Sequence, residues 1–180
     1  KKYCFYYTIF NKFVILLLVI LMQVYHELSP IYDVDSKVLI LGSMPSVKSR
    51  EVGFYYAHKT NRFWFILEKL FNVNLNTIDE KKKFLLDKHI ALWDVFAFCE
   101  IDASSDASIK NYQLNDINMI LKHANIKAIF CTGKKSYDTL IKNFKTNTPV
   151  YYLPSPSSAN AAFSLETLVA KYQVILDYLA

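Results

Sequence analysis

Four short apolar runs, each followed by a polar turn, constrain this chain more than any other feature. They are Val38-Leu39-Ile40-Leu41, Ile90 to Phe98, Ile126 to Cys131 and Pro149 to Leu153. Runs of that length, rich in β-branched and aromatic residues, read as buried strands. Between them lie segments of helical period. Phe63, Trp64, Leu67, Leu70 and Phe71 fall on one helix face, starting near Arg62. Thr77 or Asp79 opens a second helix that runs through Asp87, and Leu114 to His123 reads as a third. Thr132 to Ser136 leads into a fourth, and Leu165, Leu168, Val169, Tyr172, Ile175, Leu176 and Leu179 mark a fifth from Ser164. Strands alternating with helices predict an α/β fold, a three-layer α/β/α sandwich around a four-stranded parallel sheet.

A chain of 180 residues suits one domain with a substantial core. The net charge is +5, and residues 1–36 hold three Lys and three acids, so the excess lies in residues 37–180. That balance suits a polyanion-binding domain, as a weak indicator. Cys4, Cys99 and Cys131 are odd in number and lack metal-ligand spacing, so neither a disulfide nor a metal site is expected.

The first 25 residues differ from the rest. They begin with two Lys and contain an apolar run from Phe13 to Met22. Three readings apply: a membrane anchor, a signal peptide without a small-residue cleavage site, or an extension upstream of a start at Met22. The third is preferred, leaving residues 26–180 as the functional domain. His26 to Ser36 reads as an irregular lead-in.

Two loops draw attention. Gly42-Ser43-Met44-Pro45-Ser46 breaks the first strand at its C-terminal end, where open α/β sheets place ligand sites. The aromatics Phe54, Tyr55 and Tyr56 follow, then His58 and Asn61. The second loop, Leu153 to Ala161, reads LPSPSSANA. A third segment, Gly133-Lys134-Lys135-Ser136, invites a phosphate-binding-loop reading, but the required upstream glycine position is Ala128, inside a strand. What survives is a strand-to-helix turn with lysines beside a helix N-terminus, able to touch one phosphate. Lys81-Lys82-Lys83 reads as a solvated helix face, and Asp102 to Ser108 as a mobile surface loop that could act as a lid.

GSMPS with GFYYAHKTNRFW resembles the first motif region of the uracil-DNA glycosylase superfamily, and is most similar to its hypoxanthine-DNA (deoxyinosine) glycosylase branch. LPSPSSANA stands where that superfamily has its second motif, ALWDVFAFCE is also similar, and the likeness spans roughly residues 26–176. The resemblance implies a monofunctional DNA glycosylase that removes deaminated bases, hypoxanthine above all, without a cofactor or metal. DNA carrying a deaminated base would be its partner, the protein acting as a cytoplasmic, nucleoid-associated monomer.

Uracil-removing relatives place Asp or Asn two residues after the first-motif Gly. This chain has Met44 there, which puts ordinary uracil removal in doubt. In the deoxyinosine branch the water-positioning role passes to the Asn of the AH-x-x-N-x-FW segment, here Asn61. Read from the residues alone, Asn61 is a helix N-cap, and the two roles are compatible. Met44, Tyr55, Tyr56 and His58 become base-binding candidates, with at most one aromatic expected to stack and His58 equally able to be structural. Ser43, Ser46, Lys134, Ser155, Ser157, Ser158 and Asn160 become DNA-binding candidates. Lys59 replaces a family proline and is the lysine to watch for Schiff-base chemistry. The rivals are a uracil- or xanthine-directed glycosylase, a catalytically weak nucleic-acid-binding module, and a membrane-associated protein.

Overall fold

The computed structural model describes residues 23–102 and 105–180. The central sheet has four parallel strands: β2 (Val38–Gly42), β3 (Ile90–Asp94), β6 (Ala128–Thr132) and β7 (Val150–Leu153), in the order β3-β2-β6-β7. The first three are buried along their whole length, which is why they read as unbroken apolar runs.

The helices are α1 (Val47–Val52), α2 (Phe63–Phe71), α3 (Ile78–Asp87), α4 (Asn118–His123), α5 (Lys134–Asn143) and α6 (Leu165–Tyr172), the last continued by a 3-10 segment, Gln173–Tyr178. Thr77 caps α3 through a reciprocal capping box with Glu80, and Ser164 caps α6 by accepting from the Thr167 N–H. The crossover from β2 to β3 carries α2 and α3, and that from β6 to β7 carries α5. The sandwich is therefore as expected. Among the described residues no helix is long and apolar enough to cross a membrane.

Three expectations need correction. Ile90 to Phe98 is two strands, because Val95 is a break after which β4 (Phe96–Glu100) leaves the parallel sheet. β4 pairs antiparallel with β1 (Gln23–Tyr25) and β5 (Lys110–Leu114) in a second, three-stranded sheet. β3 is buried throughout and β4 has no exposed residue, so apolarity continues across the change of partner. Leu114 ends β5 and does not begin a helix, which starts only at Asn118. The polar stretch after β2 contains α1, capped by Ser46 and closed by Gly53 at φ 73°.

Residues 1–22, with Cys4 and the apolar run, lie outside the described residues; Gln23–Tyr25, grouped with them by sequence, form β1. The lead-in is irregular apart from one bridge between Ile31 and Leu92. Cys99 and Cys131 are buried free thiols, the second pushed up to about 12 by burial. Lys81 lies 5.3 Å over the Trp64 ring, and Lys83 pairs with Asp87 on the exposed face of α3.

Candidate active site

The order β3-β2-β6-β7 makes the chain leave β2 toward one side and β6 toward the other. At such a switch point the loops part beyond the strand ends and leave a crevice. A cleft of about 890 Å³ opens there, lined by Gly42 to Ser46, Tyr55 to Asn61 in part, Thr132 to Lys135 and Ser155 to Asn160. The catalytic, base-binding and DNA-binding candidates named from the sequence all line it, whereas Lys59 does not.

Two pins hold its lips together. Thr60 Oγ1 and Ser158 Oγ are 2.8 Å apart, and the Arg62 N–H donates to the Pro156 carbonyl at 3.0 Å. The Arg62 guanidinium then spreads along the second loop, donating to the carbonyls of Pro156, Ser157, Asn160 and Phe163. Arg62 was not singled out in the sequence, since its partners are main-chain atoms nearly a hundred residues away.

Asn61 is at the start of α2, where its Oδ1 accepts the Phe63 N–H at 3.0 Å. The N-cap expected at Asn61 falls one residue later, on Arg62, which makes no side-chain cap bond. Asn61 Oδ1 still takes the first N–H of the helix, which fixes the amide and leaves its nitrogen without a hydrogen bond among the described residues. His58 Nδ1 lies 2.9 Å from Thr60 Oγ1 and 3.3 Å from the Thr60 N, which holds the ring and leaves Nε2 without a hydrogen bond among the described residues. His58 is exposed, Met44 is 9 % exposed.

The tyrosines divide. Tyr55 is 3 % exposed, and its hydroxyl donates to the Leu28 and Ser29 carbonyls, which ties down the lead-in. Tyr56 stacks on Phe63 with centroids 3.9 Å apart, leaving only its other face for a ligand. Its backbone is left-handed at φ 53°, a conformation that costs a non-glycine residue energy and here is held by the stack and by a 2.9 Å bond between its hydroxyl and Thr132 Oγ1. Burial, then the charge of Asp94, pushes both hydroxyls up, so they stay protonated.

The serines are partly committed. Ser43 Oγ donates to Asp106 Oδ1 at 2.6 Å, and Ser46 caps α1. Ser155 and Ser157 accept the N–H groups of Ser157 and Ala159, and Asn160 Nδ2 donates to the Ser155 carbonyl. Lys134, first in α5, is exposed at the cleft, while Lys135 donates to the Ile109 carbonyl. The segment expected as a lid is anchored at Asp106; residues 103–104 lie outside the described residues.

Three carboxylates that line the cleft, Asp94, Asp106 and Asp138, were missed. Asp106 lies in a 3-10 turn (Asp106–Ser108), and burial pushes its carboxyl above the ordinary range. Asp94 is 4 % exposed at the end of β3, in register with Gly42. A Cβ at Gly42 would lie 2.1 Å from Asp94 Oδ1 and 2.9 Å from the Tyr56 hydroxyl, so only glycine admits that approach. The signal available was the single acid in an otherwise apolar run.

A family model described as the uracil DNA glycosylase superfamily matches residues 29–179. The chain belongs to that superfamily. It is 33% identical over 139 residues to a protein named hypoxanthine DNA glycosylase from Methanosarcina acetivorans, a match covering 74% of this chain and 87% of the relative. A protein of the same name from Methanosarcina barkeri is 32% identical over 136 residues, covering 73% and 85%. The solution NMR structure of a Methanosarcina acetivorans protein, provisionally named a uracil DNA glycosylase, superposes with a TM-score of 0.71 at 28% identity. That alignment covers 86% of this chain and 99% of the other. Superfamily membership and the relatives' names support a DNA glycosylase, with DNA as the partner.

Proposed function

We propose that this chain is a monofunctional glycosylase that removes hypoxanthine from DNA by water attack on the N-glycosidic bond. The observation that carries the reading is the meeting of the two loops in one braced cleft, with Asn61 fixed at its lip. The names of the two Methanosarcina relatives support the choice of base.

A base inside a duplex is out of reach, so the nucleotide turns out of the stack into the cleft. The face of Tyr56 turned away from Phe63 would stack on the base, and Ser155, Ser157, Ser158 and Lys134, which line the cleft, would grip the flanking phosphates. Asn61 Oδ1 has a second lone pair beyond the one that takes the Phe63 N–H, and it accepts a hydrogen from the attacking water. Water oxygen bonds to C1′ as the bond from C1′ to N9 breaks, and that electron pair leaves with the base. The water proton passes to the departing base or to solvent. An amide is no base, so the rate depends on a stable leaving group and on donors such as His58.

The test uses duplexes carrying one deoxyinosine, deoxyuridine or deoxyxanthosine, treated with alkali to reveal abasic sites. Cleavage at inosine that Asn61→Ala abolishes is the expected result. Cleavage unchanged by the substitution leaves Asn61 as the acceptor of the Phe63 N–H alone. Met44, where uracil-removing relatives carry Asp or Asn, favours a second reading, a binding module with little catalysis. Tight binding of inosine DNA without abasic product would establish it.

A further inference from the structure

Asp94 is a deeply buried carboxylate that lines the cleft, and its two oxygens are treated differently. Oδ2 accepts from His26 Nε2 at 2.9 Å. Oδ1 stands over the bare backbone of Gly42 and takes no hydrogen bond from the described residues. His26 is itself firmly placed. Its N–H donates to the Ala97 carbonyl of β4 directly after β1, and its ring lies edge-on to Trp93 and near Tyr55, with 1 % of the side chain exposed.

We propose that His26 is a positioning residue that makes Asp94 a single-acceptor reader of the ring N–H created by deamination, and that it thereby excludes guanine. The inference rests on the reading that the cleft takes a flipped base. Deamination changes one ring nitrogen from a lone pair to an N–H: N1 of adenine becomes N1–H of hypoxanthine, and N3 of cytosine becomes N3–H of uracil. A carboxylate only accepts, so it bonds the N–H of the product and repels the lone pair of the parent base.

Guanine is the harder problem, because it also carries N1–H. Its neighbouring 2-amino group would make it the better ligand for a carboxylate with both oxygens free, through two parallel N–H···O bonds. His26 occupies the second oxygen. The guanine amino group then cannot form the second of the two parallel bonds to Asp94, and loses the advantage a free carboxylate would give it. Hypoxanthine, with only C2–H at that position, loses nothing.

The test is binding of duplexes in which a non-cleavable 2′-fluoroarabino deoxyinosine, deoxyguanosine or deoxyadenosine faces thymine, followed by fluorescence anisotropy. The wild type is expected to prefer inosine over both. His26→Leu is expected to lower the inosine-to-guanine preference ~10-fold through tighter guanine binding, while His26→Gln, which returns an N–H to the same place, keeps it within ~3-fold. Equal preferences in all three proteins overturn the proposal. Asp94→Asn supplies a second route should His26→Leu fail to fold. With its carbonyl held by His26, the amide presents N–H to the base, and the inosine-to-adenine preference is expected to fall ~10-fold. An unchanged ratio there overturns the proposal too. Cleavage of a plain deoxyinosine duplex is measured in parallel. Its absence, with the inosine preference retained, removes the glycosylase reading and keeps this one.

Discussion

Arg62 Nη2 donates to the Ser157 carbonyl at 2.6 Å and to the Asn160 carbonyl at 2.9 Å, so one planar guanidinium fixes the curvature of the second loop. The same residue is the N-cap position of α2, directly after Asn61. The two motif regions are thus joined through neighbouring residues at one helix start.

Arg62→Ala is expected to lower unfolding stability by about 2–3 kcal/mol, since it leaves several carbonyls of a part-buried loop without their charged donor. Arg62→Lys recovers little of this, because a point charge cannot reach carbonyls spread along a fork. Urea denaturation measures the first effect, and amide exchange at residues 155–160 shows whether the loss is localised there. Equal stability of all three proteins would contradict the clamp.

Asn61→Ala is expected to cost about 1 kcal/mol through loss of the acceptor for the Phe63 N–H at the start of α2, an amount too small to unfold a domain. Asn61→Ser retains an acceptor for the Phe63 N–H and is expected to recover most of that stability. Comparing thermal melting with single-turnover excision separates the roles, for a residue that only holds the helix start would show activity following stability.

Gly42→Ala places a methyl group 2.1 Å from Asp94 Oδ1, which forces the carboxylate or β3 to shift. We expect destabilisation of about 1–3 kcal/mol together with lost selectivity for inosine. Gly53, whose added Cβ would meet nothing, is the control for added volume alone, with a cost confined to its left-handed backbone.

Asp106 sets a pH dependence. Burial raises its carboxyl first of all, the Ser43 hydrogen bond opposes this, Asp94 adds to it and Lys135 opposes it. The folded protein therefore holds a proton that the unfolded chain has released, above the ordinary carboxylate value of about 4. Stability linked to this group is complete below that value and is lost as pH rises through the raised folded one. Asp106→Asn is expected to flatten the decline in melting temperature from acid to neutral pH. Parallel curves for the two proteins would show that the group does not titrate as described.

Both motif loops, β2, β6, β7 and the capped helix α3 are legible in the sequence because their signals are local: an apolar run, a turn, a capping residue. The break at Val95 is not, since the chain passes from a buried strand to a part-buried one and apolarity records burial without naming the partner. α1 spans six residues, too few for a helical period to show. β5 is polar and mostly exposed, so nothing sets it apart from the loop before it. Asp94 was visible as one acid among apolar neighbours, yet its meaning lies in register with Gly42 and in a histidine sixty-eight positions earlier. Tyr55, chosen as a stacking surface, spends its hydroxyl on the lead-in because an aromatic beside a cleft serves the core as readily as the ligand.

The bracing of the cleft decides where mechanical work is done. With Thr60 pinned to Ser158 and Arg62 clamped along the facing loop, the mouth has little freedom to widen around an incoming nucleotide. On the glycosylase reading the bending therefore falls on the nucleic acid, and the energy of extrusion is set by the pair being opened. Inosine in a weak pair or a single strand is then excised faster than inosine opposite cytosine. The enzyme would sense damage partly as softness in the duplex.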